Sequence, residues 1–259
     1  MYLFLNTRQP PFSSLKARQA INYAIDRDRL IRLFHLSSPA QATSTCQILP
    51  AGFPSHRPYC PYTADAGDGV WHLPDMTKAV RLAHQSGTTH VPVTIWTVKG
   101  ELANDEVNSY LLGRLKKLGY QATLRTLPNE QFFATVGNSS RKIQVGLAGW
   151  AAVIPMASDF FLTTLSCRSF DQNPAATANL AEFCDPHADE LARDAQAAQQ
   201  TDPAAARKLW AQVDRLVTDQ APWVPILNRG ESVFVSARAG NYQEFPYYGG
   251  PLLDQIWVQ

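Results

Sequence analysis

Apolar residues recur with two different periods along the chain, and the period predicts the type of each element. Short apolar or alternating runs typical of strands lie at 2–5, 91–96, 120–126 and 143–148. Apolar residues at helical spacing lie at about 14–34, 75–83, 104–118, 130–136, 189–200 and 203–218. Strands and helices alternate in the middle of the chain, so the pattern predicts an α/β fold in which helices flank a mainly parallel sheet.

Local signals mark where several of these elements begin. Asp75 is placed to cap the helix that runs to about residue 83, and Asp202 precedes a proline at the start of the last long helix. Pro222 and Pro225 interrupt the apolar stretch 221–226. Because proline cannot donate to a strand ladder, this stretch is predicted to be an edge strand or an extended passage.

A long irregular stretch, about 37–74, needs something to hold it in place. Cys46 and Cys60 flank a proline-rich part of it, and Cys167 and Cys184 flank a second irregular segment. Four cysteines allow three pairings; we favour 46 with 60 and 167 with 184, because each bridge then closes a short loop. Two such bridges imply an oxidising compartment. Four buried thiols in a cytosolic protein are the alternative.

Composition and charge exclude several classes of function. The chain has 259 residues, of which 45% are hydrophobic, enough for a large core. It carries 23 basic and 22 acidic residues, so no charge excess favours nucleic acid or an anionic membrane surface. The apolar runs are shorter than the roughly 20 residues of a membrane span. Residues 1–5 do not resemble a secretory signal, so we expect either a signal upstream of this chain or no export.

The sequence offers no pattern that argues for catalysis. The spacings typical of serine hydrolases, zinc proteases and nucleotide-binding loops are absent. His187 lies near Asp185 and Asp189, but Asp185 is better interpreted as the cap of the helix after Pro186 than as a metal ligand. We therefore predict a protein that is not an enzyme and that has neither a metal nor a cofactor.

A set of motifs spread over nearly the whole chain resembles one family. The motifs are Leu5-Asn6-Thr7, Pro11-Phe12, the run from Arg18 to Arg27, Trp71 to Lys78, Ser86-Gly87, Leu118-Gly119-Tyr120, Gly149-Trp150, Ala221-Pro222, Gly240-Asn241-Tyr242 and Leu252 to Val258. In this order they resemble the C-terminal lobe of ABC-transporter extracellular solute-binding proteins of the peptide- and nickel-binding class. The segments around Cys46 and Cys60 resemble an actinobacterial version of the oligopeptide- and dipeptide-binding proteins.

The resemblance implies a function and an architecture. Such proteins have two lobes that close over a peptide or similar solute and deliver it to an ABC permease. We expect residues 1–235 to form the ligand-binding lobe, and residues 236–259 to return toward an N-terminal lobe that this chain lacks. The full-length protein is expected to be extracellular and lipid-anchored. The alternative is a ligand-sensing lobe in a regulatory or signalling fusion protein that takes no part in transport.

The resemblance also implies a ligand-binding loop, formed here by Trp150, Ala151, Ala152 and Val153. Peptide-binding members have a carboxylate three residues after the Trp, which pairs with the ligand's free amino terminus. This chain has Val153 there. A buried ammonium without its carboxylate is costly, so the expected solute is not a simple free peptide.

Other residues near this loop have two interpretations each. Trp150 is predicted to be a pocket wall, with a core residue as the alternative, because it follows a strand at the edge where α/β sheets bind ligands. Lys99 follows the strand 91–96 at the equivalent edge and is a candidate to bind a carboxylate of the ligand. The alternative is a solvated loop lysine. Asp159 is predicted to cap the helix that follows it, since its position is a poor substitute for that of Val153.

Overall fold

A computed structural model describes residues 1–36, 38–100, 104–171, 175–230, 233–245 and 250–259. The α-helices are α1 Leu15–Ala24, α2 Arg27–Leu33, α3 Met76–Gln85, α4 Asp105–Lys117, α5 Asn129–Val136, α6 Ala157–Thr164, α7 Cys167–Asp171, α8 Pro186–Thr201 and α9 Pro203–Gln220. The longer strands are β1 Tyr2–Leu5, β2 Ala42–Ser44, β3 Pro92–Val98, β4 Gln121–Leu127, β5 Val145–Ala148, β6 Trp223–Pro225 and β7 Leu227–Arg229. Two-residue strands follow at β8 Ala239–Gly240, β9 Glu244–Phe245, β10 Gly250–Pro251 and β11 Trp257–Val258. The predicted α/β class is confirmed.

The central sheet has five strands in the order β4-β3-β5-β1-β6. β3 is parallel to β4 and β5, whereas β1 is antiparallel to both of its neighbours, β5 and β6. Four strands therefore run in one direction and β1 runs against them. The sheet is mainly parallel, as predicted, but the reversed strand in its interior makes it a mixed sheet. β6 lies at an edge of the sheet, as predicted from the prolines of the stretch 221–226.

Alternate residues of β1 face two separate cores, one on each side of the sheet. Leu3 and Leu5 belong to the core that includes α1, α3 and α4, and Tyr2 and Phe4 belong to the core that includes α6, α8 and α9. All four side chains are buried because helices cover both faces. The chain thus forms a three-layer sandwich of helices, sheet and helices.

Gly146 is required by a close approach within the sheet. It pairs with Phe4 of β1, and a Cβ at Gly146 would lie 2.6 Å from the Phe4 ring. Such a distance is far below van der Waals contact, so no larger residue fits without moving the ring. The glycine lets the large aromatic side chain of the neighbouring strand lie flat over β5.

The helix predicted over 14–34 is wrong in one respect, because the structure divides it into α1 and α2. Ile25 takes an extended conformation with ψ 120°, and the side chain of Asp26 accepts a hydrogen bond of 2.9 Å from the amide of Arg29. Asp26 is therefore the N-cap of a new helix. The apolar spacing continues across the break, which is why the periodicity did not show it.

Two disulfides join the predicted partners, Cys46 with Cys60 and Cys167 with Cys184. The first lies in the long irregular stretch predicted at 37–74, of which Ser37 is outside the described residues. The stretch also contains β2, which the sequence pattern did not predict and which pairs antiparallel with β7. The bridge and this ribbon together hold the loop to the rest of the fold.

In the described part of the segment after residue 236, the strand pairings are short and join β8 with β11 and β9 with β10. Several of its large apolar side chains are exposed, including Leu253, Trp257 and Val258. None of these residues belongs to the two cores. Among the helices of the described ranges, none is both long enough and apolar enough to cross a membrane.

Candidate functional site

The ends of the parallel strands meet at one edge of the sheet, here called the carboxyl edge. Lys99 directly follows β3, and Trp150 lies shortly after β5, the neighbouring parallel strand. The start of β1 and the end of β6 reach the same edge, since Tyr2 pairs with Ala148 and Pro225. Open α/β sheets bind ligands outside this edge, so the predicted site residues are placed where such a site would be.

Lys99 extends the pairing of β3 with β4. Its backbone N–H donates a hydrogen bond of 2.7 Å to the carbonyl of Leu127, the last residue of β4. The Lys99 side chain is exposed. The backbone is therefore held by the sheet while the ammonium group stays in solvent at the carboxyl edge.

Trp150, Ala151, Ala152 and Val153 form the segment that we call the ligand loop. Ala151 is exposed, and the Val153 side chain is 55% exposed. Ile154, the next residue, is also exposed. The loop thus presents apolar side chains to solvent, and no carboxylate lies at the position of Val153.

Asp159 does not cap α6, contrary to the prediction. The helix begins at Ala157 with Met156 as its N-cap, so Asp159 lies within the first turn. From there its Oδ2 accepts two hydrogen bonds, one from the indole Nε1 of Trp150 and one from the backbone N–H of Val153, each 3.0 Å long. Because the helix starts earlier than expected, the carboxylate reaches back over the ligand loop instead of serving the helix end.

Trp150 combines the two interpretations that the sequence left open. Its half-buried ring packs against the core that contains Phe160 and Trp223. The same three residues, together with Ile48, line a small cavity of about 30 Å³. A space of that size suits a single water molecule and not a solute. This cavity therefore leaves no room for a solute behind the ligand loop.

The disulfide-tied loop also lines this small cavity, through Gln47 and Ile48. A buried carboxylate of α9, which sequence reasoning missed, binds this part of the loop. Asp214 of α9 accepts hydrogen bonds from the side-chain amide of Gln47 at 2.5 Å and from the backbone N–H groups of Ile48 and Leu49. Burial raises the pKa of Asp214 to about 6, although these donors act to lower it. Asp214 follows Val213 on the buried face of α9, and a charged residue on that face was the available signal.

A much larger cavity, of about 940 Å³, lies elsewhere. It is lined by residues around the second disulfide, among them Cys167, Cys184 and Ser166. The nearby segment contacts the end of β1, where the N–H of Thr7 donates to the carbonyl of Ala181. Since β1 is antiparallel, its end lies at the edge opposite the ligand loop. This cavity is therefore separate from the predicted site despite its size.

The acidic residues near His187 have structural partners. Asp185 caps α8 by accepting from the N–H groups of His187 and Ala188, as predicted. Asp189 accepts from the N–H of Cys167 at 3.1 Å. Within the ranges that the structure describes, no group of three or more His, Cys, Asp or Glu side chains is arranged to hold a metal ion.

Residues 1–172 match the sequence model of one family, described as bacterial extracellular solute-binding proteins, family 5, middle region. That match covers more than half of the chain. The chain belongs to this family. Family 5 is a class of extracellular solute-binding proteins and not a class of enzymes.

Curated relatives agree with the family 5 assignment. The glutathione-binding protein GsiB of Escherichia coli (strain K12) is 26% identical over 249 residues. The alignment covers 94% of this chain and 44% of GsiB. The chain therefore spans less than half the length of the curated relatives that it matches.

Solved structures show the same fold at lower sequence identity. A protein named clavulanic acid biosynthesis oligopeptide binding protein 2 has a TM-score of 0.81 and 21% identity, covering 99% of this chain and 46% of its own. The dipeptide-binding protein of Pseudoalteromonas sp. SM9913, in complex with Met-Leu, has a TM-score of 0.74 and 21% identity, with coverage of 100% and 48%. The periplasmic binding protein DppA of Helicobacter pylori, in complex with the peptide STSA, has a TM-score of 0.73 and 22% identity, with coverage of 87% and 40%. The periplasmic-binding-protein-like fold expected from the sequence is confirmed.

Proposed function

We propose that this chain is one lobe of a family 5 binding protein that captures a small solute, peptide-like or of another class, for uptake by an ABC permease. The observation that carries the proposal is the exposed ligand loop at the carboxyl edge, with Trp150 as its wall. The cavity beside it is too small for a solute. A second surface must therefore face the loop before a solute can be enclosed, as in a two-lobed binding protein.

The second surface is an N-terminal lobe, with residues 1–235 as the ligand-binding lobe described here and residues 236–259 returning toward the other. The coverage of 44% of GsiB supports a partner lobe of comparable size. The exposed apolar side chains of the last segment, such as Leu253 and Trp257, support a surface that packs against it. The family description supports an extracellular location. A lipid anchor that holds the full-length protein at the cell surface is part of the proposal.

The chemistry of the solute follows from the ligand loop and its neighbours. Val153 stands where peptide-binding relatives have a carboxylate, so a free ammonium group has no partner at that position. Lys99 supplies a positive charge at the same edge. The solute is therefore uncharged at the end that faces Val153 and carries an acceptor or carboxylate toward Lys99. GsiB and the Met-Leu complex support the peptide-like class, and neither the family nor these relatives favour the sensory alternative.

Calorimetry on the intact two-lobed protein tests this function. The panel contains glutathione, free Met-Leu and N-acetyl-Met-Leu, each titrated into wild type and into Trp150→Ala. We expect the blocked peptide to bind more tightly than the free one, and we expect Trp150→Ala to weaken binding. An exposed aromatic outside the site, Phe234→Ala, is the matched control. If Trp150→Ala leaves the affinity unchanged, the ligand loop does not bind the solute and the proposed function is wrong. If no member of the panel binds, the peptide-like class of solute is wrong.

A further inference from the structure

We infer that Asp159 is a positioning residue that holds the ligand loop in its binding shape, and that its carboxylate serves the loop instead of the solute. The inference rests on the proposed function, because it assumes that the loop contacts a solute. It assigns a role to a side chain that lies six residues beyond the position where relatives use a carboxylate.

The geometry joins two ends of the ligand loop to one atom. Oδ2 of Asp159 accepts from Nε1 of Trp150 and from the N–H of Val153, both at 3.0 Å. One bond fixes the plane of the indole, and the other fixes the backbone at the residue whose side chain faces solvent. Hydrogen bonds to a charged acceptor are roughly twice as strong as neutral ones, so this pair is a strong constraint on a short loop.

The support beneath Asp159 is rigid. The residue lies in the first turn of α6, where the helix dipole favours a negative charge. Its neighbours Phe160 and Phe161 are buried in the core next to the sheet. Because the ligand loop is hydrogen-bonded to this helical turn, the turn fixes the position of the loop. The ligand loop is therefore ordered before any solute binds.

The same geometry removes Asp159 from contact with a charged ligand. Only 8% of its surface is exposed, whereas Val153 is 55% exposed. A solute that approaches the loop therefore meets the Val153 side chain and not the carboxylate. Oδ2 already accepts both hydrogen bonds from the loop. A solute ammonium would therefore have to reach Oδ1 of a residue that is only 8% exposed. The selected class is thus solutes with a blocked or uncharged end at Val153, such as N-acylated peptides.

The variants Asp159→Asn and Asp159→Ala separate positioning from ligand binding. Asn keeps an oxygen that can accept both hydrogen bonds but loses the charge, while Ala loses the acceptor. Asp194→Ala, at an exposed position of α8, is the control for loss of a negative charge. Amide hydrogen exchange of Val153 and the NMR resonance of the Trp150 indole N–H, assigned with Trp150→Phe, are measured on the intact protein without solute.

We expect Asp159→Ala to accelerate exchange at Val153 by at least about tenfold and to shift the Trp150 indole resonance upfield, because both bonds are lost. Asp159→Asn should stay within about threefold of wild type, and Asp194→Ala should change neither signal. Unchanged exchange in Asp159→Ala would overturn the inference. If the Ala variant does not fold, Asp159→Asn decides alone: loss of Val153 protection in that variant contradicts positioning by the acceptor oxygen.

Binding of free Met-Leu and N-acetyl-Met-Leu to the same variants tests the solute class. Asp159→Asn should bind the blocked peptide within about threefold of wild type. If wild type binds free Met-Leu and Asp159→Asn does not, the carboxylate is a ligand for the ammonium group and the inference is overturned. If neither peptide binds any variant, the proposed solute class fails, while the exchange data still decide whether Asp159 holds the loop.

Discussion

The side-chain amide of Gln47 donates a hydrogen bond of 2.5 Å to the buried carboxylate of Asp214. This bond links the disulfide-tied loop to α9 across 167 residues of sequence. The neighbouring amides of Ile48 and Leu49 donate to the other oxygen of the same carboxylate. The carboxylate of Asp214 therefore accepts all three hydrogen bonds from the segment that lies beside Trp150.

This carboxylate should make stability depend on pH. The pKa of Asp214 is about 6 in the folded protein against 3.8 ordinarily. Between those values the folded state holds a proton that the unfolded chain releases, so this group's contribution to stability grows as the pH falls through 6 and is lost as the pH rises through 6. The slope is at most about 1.4 kcal/mol per pH unit.

The variant Asp214→Asn isolates that contribution, because it cannot ionise. We expect the stability of wild type relative to Asp214→Asn to increase by about 2–3 kcal/mol between pH 7 and pH 4, measured by urea unfolding. Asp194→Asn, which changes an exposed carboxylate, should show no comparable trend. A wild-type advantage that stays constant over this range would contradict the assignment.

Removing either disulfide should destabilise the folded chain by about 3 kcal/mol, because each closes a loop of similar length. The paired variants are Cys46→Ala with Cys60→Ala, and Cys167→Ala with Cys184→Ala. The first pair should also change the tryptophan fluorescence, since Trp71 packs in one buried cluster with Cys46 and Cys60. Denaturant unfolding and mass spectrometry of a non-reduced digest check the energies and the pairing. Four free thiols in protein purified under oxidising conditions would refute both.

Val153→Asp should restore affinity for free peptides in the intact protein. The new carboxylate would stand on an ordered backbone and offer a partner for an ammonium group. We expect binding of free Met-Leu to improve by at least about tenfold, with no gain for N-acetyl-Met-Leu. Val153→Asn is the matched control for size and polarity. Micromolar binding of free peptides by wild type would mean that another group already supplies the charge.

The last segment should bind an apolar dye in this chain and lose that property when the whole protein is present. Trp257 and Val258 are 51% and 68% exposed. Gly240 lies under the Trp257 ring, and a Cβ there would come within 2.2 Å of it. Gly240→Ala should therefore displace the ring and raise its quenching by acrylamide, while Gly52→Ala, at an open position, should not. Equal dye binding by the chain and the whole protein would argue against a covering lobe.

Much of the fold was predictable because the local spacing of apolar residues indicates the type of each element. The alternation of strand and helix patterns identified the α/β class, and the prolines around Trp223 identified an edge strand. The direction of β1 was not predictable, since a four-residue apolar run fits either orientation. The division between α1 and α2 was also missed. Asp26 caps the start of α2, but it does not interrupt the apolar spacing from which the helix was predicted.

The place of the ligand loop after a strand was predictable, but the hydrogen bonds within the loop were not. The family motif located Trp150 and Val153 at the end of β5, and the structure places them there. The role of Asp159 depends on where α6 begins, which shifts by a few residues without any change in pattern. The partnership of Asp214 with Gln47 joins distant parts of the chain, and no local signal specifies such a contact.

The reversed direction of β1 has a consequence for how this chain folds. Its strand is flanked on one side by β5 and on the other by β6, so Asn6, just beyond it, bonds to Ile143, 137 residues later. Contacts this remote in sequence form slowly, because a long loop must close before they are gained. A chain emerging from the ribosome cannot complete this sheet until β6, at Trp223–Pro225, has been made. Because the sheet is completed late, the polypeptide would stay unfolded during synthesis and could pass through a secretion channel.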